Sequence, residues 1–346
     1  GVRLYLQRSQ KRRNVMTEEK LNREKILKLS GSYWETCTLH AGVKLDVFTI
    51  VGKDHLKGED VADKLKGDKR GVKMLLNALS AMDLLVKKED IYSNTPLSLT
   101  FLSKDSPRYM GHIILHHHNL IESWSCLDIA VRSGRSVRHR VTHTNEEQRE
   151  NFLMGMFNLA MNLAPVLAPK VDLFGRRHLL DIGGGPGTYA IHFCMNNPRL
   201  KATVCDLSTT RPFAEKTIAK FKLQNRIDFK DVDYLKEDIE GIYDVVWLSH
   251  ILHGEGPEDC RNIIGKAVSA LEPGGMILIH DFILNDSMDG PLFPALFSLN
   301  MLLVTPSGQS YSEKQIRDML ADAGVREIRR IFFESPNDSG IIIGIV

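Results

Sequence analysis

The clearest chemical pattern in the chain lies in the segment LLDIGGGPGTYA, residues 179–190. An apolar strand ends at Asp181, and four glycines crowd the turn before a helix that starts near Thr188. Glycine lets a backbone approach a ligand closely, and the N-terminus of a helix offers free N–H groups. The segment therefore predicts a nucleotide-binding turn. Its glycines are Gly183, Gly184, Gly185 and Gly187.

The spacing of these glycines discriminates between two classes of nucleotide. The dinucleotide fingerprint needs glycine at its first, third and sixth positions, and the sixth position counted from Gly183 is Thr188. The segment instead follows acid-x-Gly-x-Gly-x-Gly, with Asp181 as the acid. A carboxylate there repels a pyrophosphate but attracts the ammonium group of S-adenosylmethionine. The pattern favours S-adenosylmethionine as cofactor, held by Asp181 and the first three glycines of the turn.

Further cofactor-binding residues are predicted where the next strands end. Asp206 lies 19 residues beyond Gly187 and is placed to accept both ribose hydroxyls, with Leu207 beside it. Asp233 follows the third strand and is placed to accept the adenine amino group, and Tyr234 is expected against the adenine ring. Open α/β sheets bind ligands beyond the carboxyl ends of their strands, so these residues are expected to converge.

The elements that position these residues alternate between strand and helix from about Leu179 onward, which predicts an α/β fold with a mostly parallel sheet. The last two strands follow one another without an intervening helix, so the final strand is expected to run antiparallel. The predicted elements are strands 178–182, 202–206, 226–229, 243–248, 275–282, 329–334 and 340–346, with a last helix at 312–323.

The N-terminal part of the chain has a helical pattern instead. A helical stretch at 18–48, helices at 58–65 and 69–85 and a charged hairpin at 86–92 are together typical of a winged helix. The second of these helices is apolar on most of its circumference, which suits burial and not a DNA major groove. We expect this unit to pack against another subunit and not to bind nucleic acid.

Two more helical stretches are predicted before the sheet begins. They cover 107–132 and 146–174, and Pro165 and Pro169 are expected to kink or break the second one. The division expected from these patterns is a basic extension at 1–15, a winged-helix domain at 16–105, a helical linker that lines the substrate at 106–175 and a cofactor-binding domain at 176–346.

Charge and cysteine content limit the classes of function. The net charge is +2, and without the five basic residues of the first 15 positions it is −3, which argues against nucleic-acid binding. No apolar run is expected to approach the roughly 20 residues of a membrane span. The five cysteines have no metal-ligand spacing, and we expect a reducing, cytoplasmic location without membrane attachment.

The segment YDVVWLSHILHGEGPEDC, residues 243–260, resembles the small-molecule O-methyltransferases related to plant caffeate and hydroxyindole enzymes and to bacterial antibiotic-tailoring enzymes. The resemblance covers nearly the whole chain from Met16 and includes the FNLAM, EPGG and NMLL segments. It implies a class I methyltransferase with a Rossmann-like seven-stranded sheet and an N-terminal winged-helix domain that forms a homodimer. The implied reaction moves a methyl group from S-adenosylmethionine to a hydroxyl of a small aromatic acceptor, leaving S-adenosylhomocysteine.

The same resemblance implies roles for two residues after the fourth and fifth strands of the sheet. His253 matches the general base of the family, and Asp281 matches the acid that orients that base. A phenol has a pKa near 10, so its oxygen must lose a proton as it attacks, and a histidine can accept that proton.

Several positions depart from the family pattern. Ser249 replaces a lysine that lines the cofactor site, and Ser310 stands where a second acid usually flanks the base. Gly254 and Glu255 replace an Asp-Trp pair, and Val232 replaces a glycine. Methylation at carbon or nitrogen, other chemistry on the same cofactor, and a winged-helix regulator that senses the cofactor therefore remain open alternatives.

The remaining predictions concern the acceptor and metal ions. Flexible thioethers suit planar acceptors. The residues expected to line the acceptor are Met156, Phe157, Met161, His250 and Met301. Consecutive residues of a helix point about 100° apart, so His116, His117 and His118 are expected to be structural. No metal ion is expected to be required.

Overall fold

The computed structural model describes residues 22–137, 146–335 and 337–346, and the basic extension at 1–15 lies outside them. The chain divides into two compact units, one up to His118 and one from Asn119 to Val346. The four-part division expected from the sequence remains a prediction.

The first unit is a helical domain with a small antiparallel sheet. Its elements are α1 (Arg23–Gly31), α2 (Tyr33–Lys44), α3 (Val47–Val51), β1 (Leu56–Lys57), α4 (Gly58–Leu65), α5 (Lys69–Ala81), β2 (Leu85–Lys88), β3 (Ile91–Asn94) and α6 (Pro96–Phe101), followed by α7 (Gly111–Trp124), which continues past the unit boundary.

The winged-helix arrangement predicted for this unit is present. The sheet order is β1-β3-β2, and β2 and β3 form the charged hairpin. The Asp68 side chain caps α5 by accepting the Gly71 N–H at 2.8 Å, and α5 buries Val72, Leu76 and Leu79. This helix ends at Ala81 and not at residue 85, because Leu85 already belongs to β2.

The three consecutive histidines on α7 do not act as one cluster. His118 Nε2 lies 3.1 Å from Lys44 Nζ, and its ring meets His40 edge-on at 5.5 Å. The rings of His116 and His117 are 6.1 Å apart. Burial lowers the pKa of His117 below the usual histidine value. These contacts are consistent with the predicted structural role.

The second unit carries the large sheet and the helices that cover it. Its elements are α8 (Leu127–Ser133), α9 (Glu146–Leu167), β4 (His178–Ile182), α10 (Thr188–Asn196), β5 (Lys201–Asp206), α11 (Arg211–Lys220), β6 (Ile227–Asp231), β7 (Tyr243–Ser249), α12 (Pro257–Ser269), β8 (Leu271–Leu284), α13 (Leu292–Val304), β9 (Tyr311–Ser312), α14 (Glu313–Asp322), β10 (Arg326–Ile331) and β11 (Ser339–Ile345).

The sheet has the predicted topology. Its strand order is β10-β11-β8-β7-β4-β5-β6, with parallel pairing from β6 to β8 and antiparallel pairing of β11 to β8. The seven predicted strands all exist, but β8 starts at Leu271, four residues before the predicted start, and the short β9 was not predicted. Apolar residues from both faces of the sheet are buried, among them Trp247 on one face and Leu180 on the other.

The predicted helical stretch 146–174 is broken near its second proline, as expected. Helix α9 continues through Pro165 to Leu167, and Pro169 lies in a 3₁₀ turn, Ala168–Lys170. Pro165 lacks the N–H that would bond to the carbonyl of Met161, so the helix loses one hydrogen bond there, and it ends two residues later.

By length and composition the stretch Glu146–Lys170 could span a membrane, since an 18-residue window within it has a mean hydropathy of 1.4. The expectation that no apolar stretch approaches this length was therefore wrong. A core helix meets the same criterion, and α9 buries Asn151, Ala164 and Leu167.

Candidate functional site

The glycine turn between β4 and α10 requires glycine through its backbone conformation and, at Gly183, through lack of space. Gly183, Gly185 and Gly187 all have positive φ angles, of 64°, 54° and 77°. A Cβ atom on Gly183 would lie 2.3 Å from Ile251 Cδ1 and 3.2 Å from Tyr234 Cε1. The turn therefore presents bare backbone at Gly183, and Tyr234 lies beside it; the predicted contact of Tyr234 with an adenine ring stays a prediction.

Asp181 is the acid of this turn, and its surroundings are unusual for a carboxylate. The residue is 1% exposed, and neither carboxylate oxygen has a hydrogen-bond partner among the residues that the structure describes. Burial, together with the nearby Asp206, raises its pKa to about 8. A buried acid without a donor gains most from a cationic partner, so the geometry fits the ammonium group of the predicted cofactor.

Asp206 connects the end of β5 to the glycine turn. Its Oδ2 accepts the Gly185 N–H at 2.8 Å, and its Oδ1 accepts the Leu207 N–H at 2.7 Å. Burial raises its pKa above the usual aspartate value. Each carboxylate oxygen retains a lone pair after these bonds, so Asp206 has acceptors left for ribose hydroxyls.

Asp233 is already engaged by its neighbours. Lys236 Nζ lies 3.0 Å from Asp233 Oδ2, and the hydrogen bond and charge of this lysine lower the aspartate pKa. The Asp233 N–H donates to Glu237 Oε2 at 2.7 Å. The Lys236 side chain is 82% exposed, so an adenine amino group has only a mobile surface group to displace.

His253 and Asp281 form a hydrogen-bonded pair where β7 and β8 end. His253 lies in a 3₁₀ turn, Leu252–Gly254, and its Nδ1 is 2.7 Å from Asp281 Oδ1. Asp281 Oδ1 also accepts the Phe282 N–H at 2.8 Å. Burial acts to raise the Asp281 pKa, but His253 and the neighbouring His250 outweigh it and hold that pKa well below the usual range. Because an ionised carboxylate only accepts hydrogen bonds, Nδ1 of His253 is the donor of this contact, and in the neutral ring Nε2 then carries a lone pair.

Two side chains hold the 3₁₀ turn in place. The Cys260 thiol donates to the Leu252 carbonyl at 3.2 Å, and the Tyr311 hydroxyl donates to the Glu255 carbonyl at 2.6 Å. The sequence analysis did not single out Tyr311. It lies 56 residues beyond Glu255, and no local pattern marks such a contact.

Aromatic rings surround the pair, and most of them were not predicted. The Phe282 ring stacks on His253 at an interplanar angle of 16°, and Phe297 meets His253 edge-on at 4.7 Å. Phe293 packs against Phe282 at 4.9 Å. The apolar run of α13 was the available signal for Phe293 and Phe297.

His250, predicted to line the acceptor, lies beside the same carboxylate. Its Nδ1 is 3.6 Å from Asp281 Oδ1, and its ring lies 4.4 Å from Phe282 and 5.9 Å from His253. Its backbone has a φ of 57°, in the left-handed region. The structure therefore brings two histidines to one buried carboxylate.

The methionines and Phe157 are more dispersed. Met156, Phe157 and Met161 lie on α9, where the Phe157 ring is 6.0 Å from the Phe213 ring of α11. Met301 is buried on α13, the helix that carries Phe297. Their contact with an acceptor remains a prediction.

Two serines mark departures from the family pattern. Ser249 Oγ lies 2.8 Å from Nδ1 of His280, whose Nε2 is 3.1 Å from Ser339 Oγ. Ser310 is fully buried, and its Oγ has no hydrogen-bond partner among the described residues. Ser310 therefore supplies no second carboxylate to the histidine pair.

Comparisons with known proteins show which family the chain belongs to. Residues 130–326 match the model of an O-methyltransferase domain, and residues 27–104 match an O-methyltransferase dimerisation domain. The chain is 31% identical to 3-hydroxy-5-methyl-1-naphthoate 3-O-methyltransferase of Streptomyces sahachiroi, over 92% of this chain and 93% of that protein. It is 27% identical to the N,N-dimethyltransferase OxyT of Streptomyces rimosus, over 88% of this chain and 92% of that protein.

A solved structure of an O-methyltransferase family protein from Burkholderia thailandensis superposes with a TM-score of 0.84 at 28% identity, covering 94% of this chain and 98% of that chain. The match thus extends across both units of the sequence. The chain belongs to the S-adenosylmethionine-dependent O-methyltransferase family.

Proposed function

We propose that the protein methylates a hydroxyl group of a small aromatic acceptor and that His253 is the general base. The observation that carries this proposal is the 2.7 Å contact of His253 Nδ1 with the buried Asp281 carboxylate. The contact leaves Nε2 free to accept the proton of the acceptor. Bound S-adenosylmethionine supplies an electrophilic methyl group on its sulfonium sulfur.

Asp281 is proposed as a positioning residue. It holds the imidazole in one tautomer and stabilises the positive charge that His253 gains on accepting a proton. Because Asp281 is buried and ionised, this attraction is little screened by water. The arrangement needs no metal ion.

The cofactor is proposed to lie along the glycine turn. Asp181 would face its ammonium group, Asp206 its ribose and Asp233 its adenine amino group, with Tyr234 against the ring. Three acids follow three neighbouring parallel strands, at the edge of the sheet where such ligands bind. Gly183, Gly184 and Gly185 provide the close approach, while Leu207 and Ser249 complete the proposed lining.

The aromatic character of the acceptor is proposed from the rings around His253. Phe282 and Phe297 offer one ring face and one ring edge next to the base, a geometry that favours a planar aromatic partner. Met156, Phe157, Met161, His250 and Met301 are proposed to complete the acceptor site.

A homodimer is proposed to form through the first unit. Helix α1 buries none of its side chains, and large apolar residues stand exposed on it and on the start of α2. These are Ile26, Leu27, Leu29, Tyr33 and Trp34.

The five cysteines are unpaired, which supports the proposed cytoplasmic location.

Nitrogen methylation is the second candidate. The 27% identity to an N,N-dimethyltransferase and the absence of a carboxylate at position 310 favour it. An amine acceptor is nucleophilic once neutral and needs less help from a base.

The test compares wild type with His253→Ala. O-methylation, measured as S-adenosylhomocysteine formed with a panel of phenols and aromatic amines, should fall by about 10²–10⁴-fold. Cofactor affinity measured by calorimetry should stay within about twofold. His178→Ala is the matched control, since His178 bonds Thr203 away from the pair.

Equal phenol rates in wild type and His253→Ala would exclude the base role. Loss of activity towards phenols alone, with amine rates unchanged, would support the base while separating the two candidates. If neither S-adenosylmethionine nor S-adenosylhomocysteine gave a heat of binding, the cofactor assignment itself would fail.

A further inference from the structure

Three potential metal-ligand atoms converge beside the proposed base. They are one ring nitrogen each of His250 and His253 and a carboxylate oxygen of Asp281, and all lie within 4.8 Å of one another. Proton transfer as proposed above uses the second and third residues, whereas His250 is assigned only to the lining of the acceptor site.

His250, which places its Nδ1 near the Asp281 carboxylate, has an unfavourable backbone conformation. Its φ of 57° is unfavourable for a residue with a Cβ, and its N–H donates to the His280 carbonyl at 2.8 Å. Its Nδ1 is buried and has no hydrogen-bond partner among the described residues. A strained residue with a buried, unsatisfied nitrogen facing a carboxylate calls for a ligand.

We propose that His250, His253 and Asp281 form a Zn²⁺ site whose occupancy stops methyl transfer. Two imidazoles and one carboxylate form a ligand set typical of zinc and not of magnesium, which prefers oxygen ligands. The histidine side chains are 27% and 14% exposed, so a hydrated ion has access and a solvent molecule can take the fourth position.

The three ligand groups lie close enough to converge on one ion if their side chains move, since their ligand atoms are all within 4.8 Å of one another. Bonds of about 2.0–2.2 Å in a tetrahedral arrangement put neighbouring ligand atoms roughly 3.3–3.5 Å apart. The His250 Nδ1 to Asp281 Oδ1 distance is already 3.6 Å. The His253 Nδ1 to Asp281 Oδ1 distance of 2.7 Å must widen once the proton between the two atoms is displaced.

Zinc would inhibit through the tautomer of His253. Zinc on Nδ1 displaces the proton that now points to Asp281, and the neutral ring then carries its proton on Nε2. An Nε2–H group cannot accept a proton from an acceptor hydroxyl. This inhibitory consequence rests on the proposed function, whereas the binding of zinc does not.

The experiment titrates Zn²⁺ alone into the full chain and follows the heat of binding. His250→Asn suits this test because asparagine tolerates a positive φ. We expect wild type to bind one equivalent of Zn²⁺. The affinity for this equivalent should be at least about 100-fold lower in His250→Asn. His178→Asn should bind like wild type and thereby accounts for zinc bound at other histidines. A Co²⁺ titration followed by visible absorption gives a second readout of the same site.

His253→Asn is the second variant and should lose the same equivalent, so the test stands if His250→Asn does not fold. A wild-type protein without this equivalent, or variants that all retain it, would overturn the proposal. Cofactor binding is measured in the same samples. Zinc binding without cofactor binding would contradict the proposed function but support the metal site. Cofactor binding without zinc binding would contradict only the metal site.

Discussion

Asp281 contacts His253 at two points, because its Oδ1 lies 2.7 Å from the ring Nδ1 and its Oδ2 accepts the His253 backbone N–H at 3.3 Å. One buried carboxylate therefore orients both the imidazole and the 3₁₀ turn that carries it. Any change in its charge is expected to affect stability as well as catalysis.

Asp281→Asn should make the free energy of unfolding less dependent on pH in the acidic range. The folded protein holds the Asp281 pKa below its unfolded value of about 4. The ionised carboxylate therefore contributes to the free energy of unfolding above that pH, and this contribution is lost as the pH falls further. At pH 7 the variant should lose about 3–5 kcal/mol, because the histidine pair loses its charged partner. The difference, measured by urea unfolding, should shrink between pH 5 and pH 3.

Asp322→Asn is the control for this series, since Asp322 forms an exposed 3.6 Å pair with Arg261. Its effect should be small at every pH. A stability difference for Asp281→Asn that stays constant down to pH 3 would contradict the ionised buried carboxylate.

Asp181→Asn should show the opposite pH dependence in the cofactor-free protein. The Asp181 pKa is raised to about 8, so the folded state retains a proton above pH 4 that the unfolded state has lost. The stability that the protonated Asp181 contributes is therefore lost as the pH rises through 8. The neutral variant should therefore be the more stable protein at pH 9. The gain is at most about 6 kcal/mol, because the shift spans about four pKa units and each unit corresponds to about 1.4 kcal/mol.

Cofactor binding should release the Asp181 proton at pH 7, since a cationic ammonium favours the carboxylate. Calorimetry in buffers of different ionisation enthalpy measures this release, which Asp181→Asn should abolish while weakening affinity about 10- to 100-fold. Asp233→Asn is the control, because the lowered pKa of Asp233 leaves no proton to release. Equal proton release in wild type and Asp181→Asn would contradict the assignment.

The cofactor turn was predictable from sequence because its determinants are local. A strand, four glycines and an acid lie within a few residues, and the strand-end rule places Asp206 and Asp233 at the same edge. Strand limits were less accurate, because pairing with β7 at Leu271 and with β9 at Ile283 and Leu284 extends β8 beyond the predicted strand.

The aromatic and hydrogen-bonding environment of His253 was not predictable in this way. Tyr311 and Phe297 reach the 3₁₀ turn from elements far along the chain, and their side-chain directions depend on tertiary packing. The same holds for His250, whose left-handed backbone conformation has no signature in the residues around it.

Gly183→Ala should weaken cofactor binding by at least tenfold. Its Cβ would meet Ile251 Cδ1 at 2.3 Å, and the φ of 64° adds about 1–2 kcal/mol of backbone strain. Gly265→Ala in α12 is the control, because its Cβ would meet no atom within 4 Å and helical alanine is favourable. Calorimetry measures the cofactor affinity of both variants, and thermal melting measures their stability. Unchanged cofactor affinity in Gly183→Ala would exclude close contact of the cofactor with this turn.

The double variant Leu27→Lys/Trp34→Lys should convert the proposed dimer to a monomer. Both side chains are 68% exposed, and a charge on each would be buried in an apolar interface. Sedimentation at micromolar concentration measures the mass. Phe174→Lys, at a position that is 93% exposed in the other unit, should leave the mass unchanged. A monomeric wild type would disprove the dimer.

Tyr311→Phe tests whether the 3₁₀ turn must be held for His253 to act. Removing the 2.6 Å bond to the Glu255 carbonyl should cost about 1 kcal/mol of stability and lower kcat about 3- to 10-fold, because the turn gains freedom next to the base. Cofactor affinity should not change. Tyr92→Phe removes a 2.7 Å bond to Asn77 in the first unit and should lower stability similarly without affecting kcat. If both variants lowered kcat equally, the effect would reflect stability alone, whereas a loss confined to Tyr311→Phe identifies a positioning residue.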